Sequence, residues 1–327
     1  ILFDGAQRLI VALLAAVLIG CGSDPLDPVT TKPAKKTKKV AKAVVKEKEK
    51  RTPPEPVWLS PDYLPGLEEA LAFQPDVMTD AELVAAQQAG EQMLFDVESY
   101  PNYFLVSFTS FTSGKCIYFE TTTAFTLAEL AKLRWTFLSF CIVGFNSTHY
   151  DVPMVELAVA GLDAAQLKEA TNAMIVFGER GDDILKRMRV KRLKPDHIDL
   201  IEVAPLTANL KIYGGRLHSE RMQDLPFPVD TVLSPEQMAI VRMYNLRSDI
   251  PATALMLKEL SEQIALRKKL SAEYGLDLRS KSDAQIAEAV IASEVTRMNG
   301  VRVERPEFQP GLRFYYQPPA FLRYTTP

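Results

Sequence analysis

The stretch Leu94-Phe95-Asp96-Val97-Glu98-Ser99-Tyr100 constrains this chain more than any other part of it. Its apolar and aromatic residues read as a core strand over 93–98, and side chains alternate across a strand. Asp96 and Glu98 therefore leave one face together, while Phe95 and Val97 leave the opposite one. Two carboxylates on one side of a strand are how a site for divalent metal begins, although such pairs also arise on solvated strand edges. A second stretch adds a third carboxylate. Cys141-Ile142-Val143-Gly144-Phe145-Asn146 reads as a buried strand running into Ser147-Thr148-His149-Tyr150-Asp151. Asn146 and Asp151 follow an N-x-x-x-[FY]-D spacing, and Asp151 falls where a strand ends and a helix starts.

With 327 residues, 47% apolar and 24% charged, the chain has globular proportions and room for one large domain or two ordinary ones. The formal net charge is −3, yet residues 32–51 hold ten Lys or Arg against Glu47 and Glu49. The remainder is correspondingly acidic, which a cation site can use. Cys21, Cys116 and Cys141 make no disulfide framework, and the last two fall in predicted strands, where a free thiol behaves as a small apolar group. A reducing cytoplasm fits this usage. No His or Cys cluster competes for a zinc role.

Composition also divides the chain. Residues 1–22 are an apolar N-terminal segment whose run Leu9 to Ile19 is too short to span a bilayer and matches a signal h-region. It ends Leu18-Ile19-Gly20-Cys21, like a lipoprotein signal, but Asp4 and the lone Arg8 make a poor basic n-region. A buried helix belonging to an upstream region is the competing reading, and the first residue, Ile1, fits a piece of a longer frame. Residues 23–57 are a Pro-interrupted, Lys- and Ala-rich flexible linker with too little apolar surface to offset the entropy of ordering. It is a solvated tether or an electrostatic contact with nucleic acid. Globular composition runs from Trp58 to about residue 275, and 276–327 read as the start of a following region, cut at Pro327. No stable membrane partner is expected.

Within the globular part a helix is predicted over 79–92, capped by Thr79 or Asp80, before the carboxylate strand. A hairpin of strands over 103–108 and 115–119 follows, turning at Ser113-Gly114. A helix over 126–137, with Leu127, Leu130, Leu133 and Phe137 near one face, leads by a crossover to a strand over 140–145 that should lie parallel to the first. The next helix covers 152–160 with Pro153 in its first turn, and 197–203 reads as the fifth strand. Ser234-Pro235-Glu236-Gln237 starts a helix that carries Met238, Val241 and Tyr244 inward and ends before Pro251. Further helices are expected over 252–273, stopping at Gly275, and over 283–299. Pro306, Pro310, Pro318 and Pro319 then mark irregular chain. The expected fold is α/β, a mixed sheet of three antiparallel strands plus parallel strands, flanked by helices.

The Asp96/Glu98 pair, the Asn146-to-Asp151 spacing and Tyr244-Asn245-Leu246-Arg247-Ser248-Asp249 resemble the first, second and third exonuclease motifs of the DEDD superfamily, in the form carried by the proofreading domains of family-B-like phage DNA polymerases. The resemblance covers about residues 60–300. Asp96 and Asp151 lie 55 residues apart and Asp151 and Asp249 lie 98 apart, which is similar to polymerase proofreading domains rather than short free-standing exonucleases. Leu210-Lys211-Ile212-Tyr213-Gly214-Gly215 resembles the stretch ahead of the third motif, and residues 280–288 resemble a segment of phage replicative polymerases. No D-x-x-S-L-Y-P-S-like or Y-x-D-T-D-like polymerase motif is present. The resemblance implies a ribonuclease-H-like sheet and a 3′→5′ exonuclease acting on DNA, with two Mg²⁺ or Mn²⁺ ions. It also implies single-stranded DNA or a primer 3′ end as partner and a polymerase domain in cis beyond the C-terminus. Asp96 would bridge both ions, Glu98 and Asp249 complete the first, and Asp151 support the second. Tyr244 would orient the attacking water, and Asn146, Tyr150 and Lys211 would form the DNA-binding set.

The tyrosine departs from that pattern. In the tyrosine subclass Tyr precedes the last Asp by four positions, whereas Tyr244 precedes Asp249 by five and Asn245 holds the expected place. Tyr244 is then either a water-orienting hydroxyl reaching from a different helical turn or a tyrosine packed on the sheet. Asp249 is equally placed to cap a helix before Pro251, Asn146 to be a turn residue, and His149 to face solvent. Tyr103 and Phe104 either stack on a frayed base or belong to the core. The basic cluster Lys186-Arg187-Arg189-Lys191-Arg192-Lys194 either tracks phosphates or forms a solvated helix face. Three rival readings stay open: a free-standing DEDD nuclease, a lipid-anchored binding protein, and a degenerate nuclease fold that only grips single-stranded DNA.

Overall fold

The computed structural model describes residues 64–302 apart from Thr207, together with Gly311, Arg313 and Gln317. The apolar N-terminal segment with Cys21, the Lys-rich linker, Trp58 and the prolines 306, 310, 318 and 319 lie outside the described residues. A short helix α1 (Leu67–Ala72) precedes α2 (Asp80–Gln88), which Thr79 caps reciprocally with Glu82. Then come β1 (Gln92–Tyr100), β2 (Tyr103–Ser110) and β3 (Cys116–Thr121), followed by α3 (Leu127–Ser139) and β4 (Cys141–Gly144). Helices α4 (Asp151–Val159), α5 (Ala164–Ile175) and α6 (Gly181–Arg187) lead to β5 (Asp196–Asp199). The remainder is helical: α7 (Leu210–Arg216), α8 (Pro235–Tyr244), a π turn (Asn245–Asp249), α9 (Ile250–Glu259), α10 (Ser261–Tyr274) and α11 (Asp283–Asn299).

The five strands make one sheet in the order β3-β2-β1-β4-β5, with β1, β2 and β3 antiparallel and β4 and β5 parallel to β1. This is the expected α/β arrangement, a ribonuclease-H-like mixed sheet flanked by helices. The strand period of two sorts its faces. Phe95 and Val97 join Phe108, Phe119 and Ile142 in a large core against Leu133 and Phe137 of α3 and Val155 of α4. On the other face Leu94, Val143 and Ile198 pack against Tyr213 of α7 and Ile250, Met256 and Leu257 of α9. Asp96 and Glu98 share that second face by parity with Leu94, so the helical C-terminal half covers them. No helix among the described residues is long and apolar enough to cross a membrane.

Three expectations need correction. Leu127 is 87% exposed because it is the first residue of α3, and Leu133 and Phe137 carry the packing instead. The fifth strand stops at Asp199, since its neighbour β4 ends at Gly144; Leu200 and Val203 are buried in a turn, with Leu200 N donating to Gly144 O. The helix starting at Pro235 does not end before Pro251. It passes through the π turn into α9 and breaks only at Leu260. A proline ring collides with the carbonyl four residues back in an α-helix, and the wider π turn gives that carbonyl room. Beyond Gly275, which ends α10 in the left-handed conformation, Leu278, Ile286 and Val290 pack on Leu270. Buried Arg267 pairs with Asp283 at 2.7 Å.

Candidate metal centre

Ligand oxygens of Asp96, Glu98 and Asp249 all lie within 4.8 Å of one another. Asp96 and Glu98 come from the middle of β1, and Asp249 comes from the last position of the π turn, which lies over that face of the sheet. Ile250 N donates to Asn245 O across five residues. With that bonding, residues five apart sit one above the other, as residues four apart do in an α-helix. The additional residue between Tyr244 and Asp249 is absorbed in this way. Tyr244 is buried, and its hydroxyl lies close enough to the Asp249 carboxylate that each shifts the other's pKa, Asp249 raising Tyr244 and Tyr244 lowering Asp249. Tyr244 is thus a packed residue, one of the two readings that the sequence set against each other, and it packs beside the carboxylates.

Asp151 begins α4 and is 5% exposed. Its Oδ1 accepts from Val97 N on β1 at 3.1 Å, which ties the start of α4 to the strand between Asp96 and Glu98. It lies outside the tight trio but close enough that its charge raises the pKa of Asp96. Asn146 is an exposed turn residue in the left-handed conformation (φ 57°), and its N–H donates to Asp199 at 2.8 Å. Tyr150 packs into the main core with its hydroxyl 3.1 Å from Thr171 Oγ1 of α5. Lys211 of α7 lies 5.9 Å from the Tyr244 ring centre and 3.0 Å from Asp224, and its charge lowers the pKa of both Glu98 and Asp249. His149 is exposed, whereas Tyr103 and Phe104 are core residues. In the basic cluster, Lys186, Arg187 and Arg192 each pair with an acidic neighbour: Asp183, Glu179 and Glu156, respectively.

The electrostatics follow from burial and crowding. Loss of hydration, then repulsion from Asp249, pushes Glu98 up to about 8. Burial, then the charge of Asp199, lifts Asp151 to about 8. Burial raises Asp249 to about 6, against the opposing influence of the nearby Tyr244 hydroxyl and the Lys211 charge. Asp96 rises well above the carboxylate range through burial and then through Asp151, Glu98 and Asp249 in turn. Lys211 offsets only part of this charge. A compact set of hard oxygen donors in which each group resists ionisation is an arrangement that could hold a metal ion.

Sequence reasoning missed three supporting residues. Asp199, at the end of β5, accepts from Asn146 N and Thr148 N, both at 2.8 Å, and so holds the loop that carries Asp151. Asn245 and Ser107 are both fully buried beside the carboxylates. Asn245 Nδ2 donates to Asp96 Oδ2 at 2.6 Å and lies 3.4 Å from Glu98 Oε1, while its Oδ1 accepts from Ser107 Oγ. The one sequence signal among the three was Asn245 itself, which stands where the tyrosine was expected. No family model, curated protein or solved structure matches this chain.

Proposed function

We propose that this chain is a metal-dependent 3′→5′ exonuclease on DNA, of the proofreading type found in the DEDD superfamily. The observation that carries the reading is the trio Asp96, Glu98 and Asp249, gathered within 4.8 Å on a ribonuclease-H-like sheet. Its members are the residues that resemble the first and third exonuclease motifs. Divalent cations bound there, two in the DEDD pattern, would stabilise charge on the attacking and leaving oxygens and lower the pKa of the attacking water. Asp96, Glu98 and Asp249 would hold the cation, with Asp151 beside them. The Tyr244 hydroxyl, beside Asp249, orients the water, and Lys211 places a positive charge next to the scissile phosphate.

A groove of about 800 Å³, lined in part by Phe111, Arg221, Arg247 and Lys258, supports a strand-binding role. It shares Ser219 and Arg221 with the narrow cleft that reaches Lys211 and Asp249. Aromatic and cationic groups along one groove suit a single strand, although Glu69 pairs with both Arg221 and Arg247 in the free protein. The reading assigns the primer 3′ end as substrate and a polymerase domain in cis as partner.

The test is a single strand labelled at either end. With Mg²⁺ the chain should release the 3′ label first and shorten a 5′-labelled strand stepwise, and a chelator should stop both. Release of the 5′ label first, or no digestion with Mg²⁺ or Mn²⁺, overturns the reading. Tyr244→Phe removes one hydroxyl and keeps the ring, so the single-turnover rate should fall roughly tenfold to hundredfold, the equivalent of about 1–3 kcal/mol, with the melting temperature nearly unchanged. An unchanged rate would leave Tyr244 with packing alone.

A further inference from the structure

We propose that Asn245 is a positioning residue: its amide, itself held by Ser107, fixes Asp96 and Glu98 in the orientation that accepts a divalent cation. This rests on reading Asp96, Glu98 and Asp249 as a cation site. The π turn directs Asn245 into the sheet, and the antiparallel pairing sets Ser107 of β2 directly opposite Asp96 of β1. Asn245 therefore meets Asp96 and Glu98 on β1 and Ser107 on β2. The direction of the amide is fixed by chemistry, since carboxylates require its N–H groups and leave its oxygen to the Ser107 hydroxyl. Rotating the amide would aim an oxygen at two carboxylates and leave the Ser107 hydroxyl facing a donor.

The amide is neutral, so it orients the carboxylates without cancelling their charge, and the remaining lone pairs stay available to a cation. Donors of this kind behind metal ligands are worth about 10–100-fold in metal affinity in other proteins. The additional residue between Tyr244 and Asp249 thereby has two effects. It returns the tyrosine to Asp249 through the π turn, and it inserts an amide between the last helical ligand and the strand ligands.

Mn²⁺ binding to the full chain, followed by calorimetry together with the melting temperature, tests this without reference to nuclease activity. Asn245→Ala should weaken Mn²⁺ binding roughly tenfold to hundredfold. Ser107→Ala should weaken it less and in the same direction. The double variant should bind no more weakly than Asn245→Ala, because Ser107 acts through the amide. A purely structural role would lower the melting temperature and leave Mn²⁺ affinity alone, and that result overturns the proposal. If Asn245→Ala does not fold, parental Mn²⁺ affinity in Ser107→Ala overturns it equally. A parent chain that takes up no Mn²⁺ removes the cation site and the proposal together, whereas a binding parent with unaffected variants removes only the proposal.

Discussion

Asp96→Asn and Glu98→Gln should each slow Mg²⁺-dependent removal of 3′ nucleotides by about 10³-fold while leaving the fold intact. Both substitutions keep side-chain shape and remove one ionisable carboxylate from a cluster whose ligand oxygens lie within 4.8 Å. The free protein gains from that removal, because burial and mutual repulsion hold Asp96 and Glu98 away from ionisation. Activity and stability should therefore move in opposite directions: loss of turnover with a melting temperature equal to or above that of the parent at pH 8. A residue of general structural importance loses both. Parental digestion rates in either variant would show that the pair does not carry the chemistry.

The metal-free protein should lose stability as pH rises from 6.5 to 8.5. The sign follows from the direction of the shifts. Glu98 moves from an ordinary 4.5 to about 8, Asp151 from 3.8 to about 8 and Asp249 from 3.8 to about 6 on folding. Raised carboxylates bind protons more tightly in the folded state, so their contribution is fully present below the unfolded values and is lost as pH climbs through the folded ones. His197 acts in the opposite sense. Burial lowers it from 6.5 to about 4, so folding is penalised as pH falls below 6.5, and the two effects oppose each other there. Above 6.5 the carboxylates act unopposed. The melting temperature without metal should drop by at least about 5 °C across this interval, and Glu98→Gln should flatten the slope. Mg²⁺ should restore stability more at pH 8.5 than at 6.5, because cation binding must displace protons held at the lower pH. A flat profile without metal would mean that these groups are already ionised and paired.

The parts of the site legible in the sequence were those governed by local rules. Asp96 and Glu98 face together because strand side chains alternate, and their segment reads as a strand whatever covers it. Asp151 was identifiable because a buried strand ran into a loop and a helix start within ten residues. The helix starts expected at Thr79 and Ser234 depend on spacings of three residues, and both close capping boxes. What was not legible depended on distance along the chain or on a rarer backbone. Pro251 reads as a helix stop because its ring collides with an α-helical carbonyl, and nothing local announces that a π turn will open the helix there. Asn245 reaches Asp96 across 149 residues and Ser107 across 138, and Asp199 reaches Asn146 across 53. Such partners are chosen by the packed fold, and no periodicity points to them.

Under the proposed function Asp96, Glu98 and Asp249 form a divalent-cation site. A crystal of the chain grown with Mn²⁺ and measured at the manganese absorption edge tests it most directly. An anomalous peak should lie among the three carboxylates, about 2.1–2.2 Å from oxygens of Asp96 and of at least one of Glu98 and Asp249. Manganese bound elsewhere on the surface, with these carboxylates empty at neutral or alkaline pH, would contradict it.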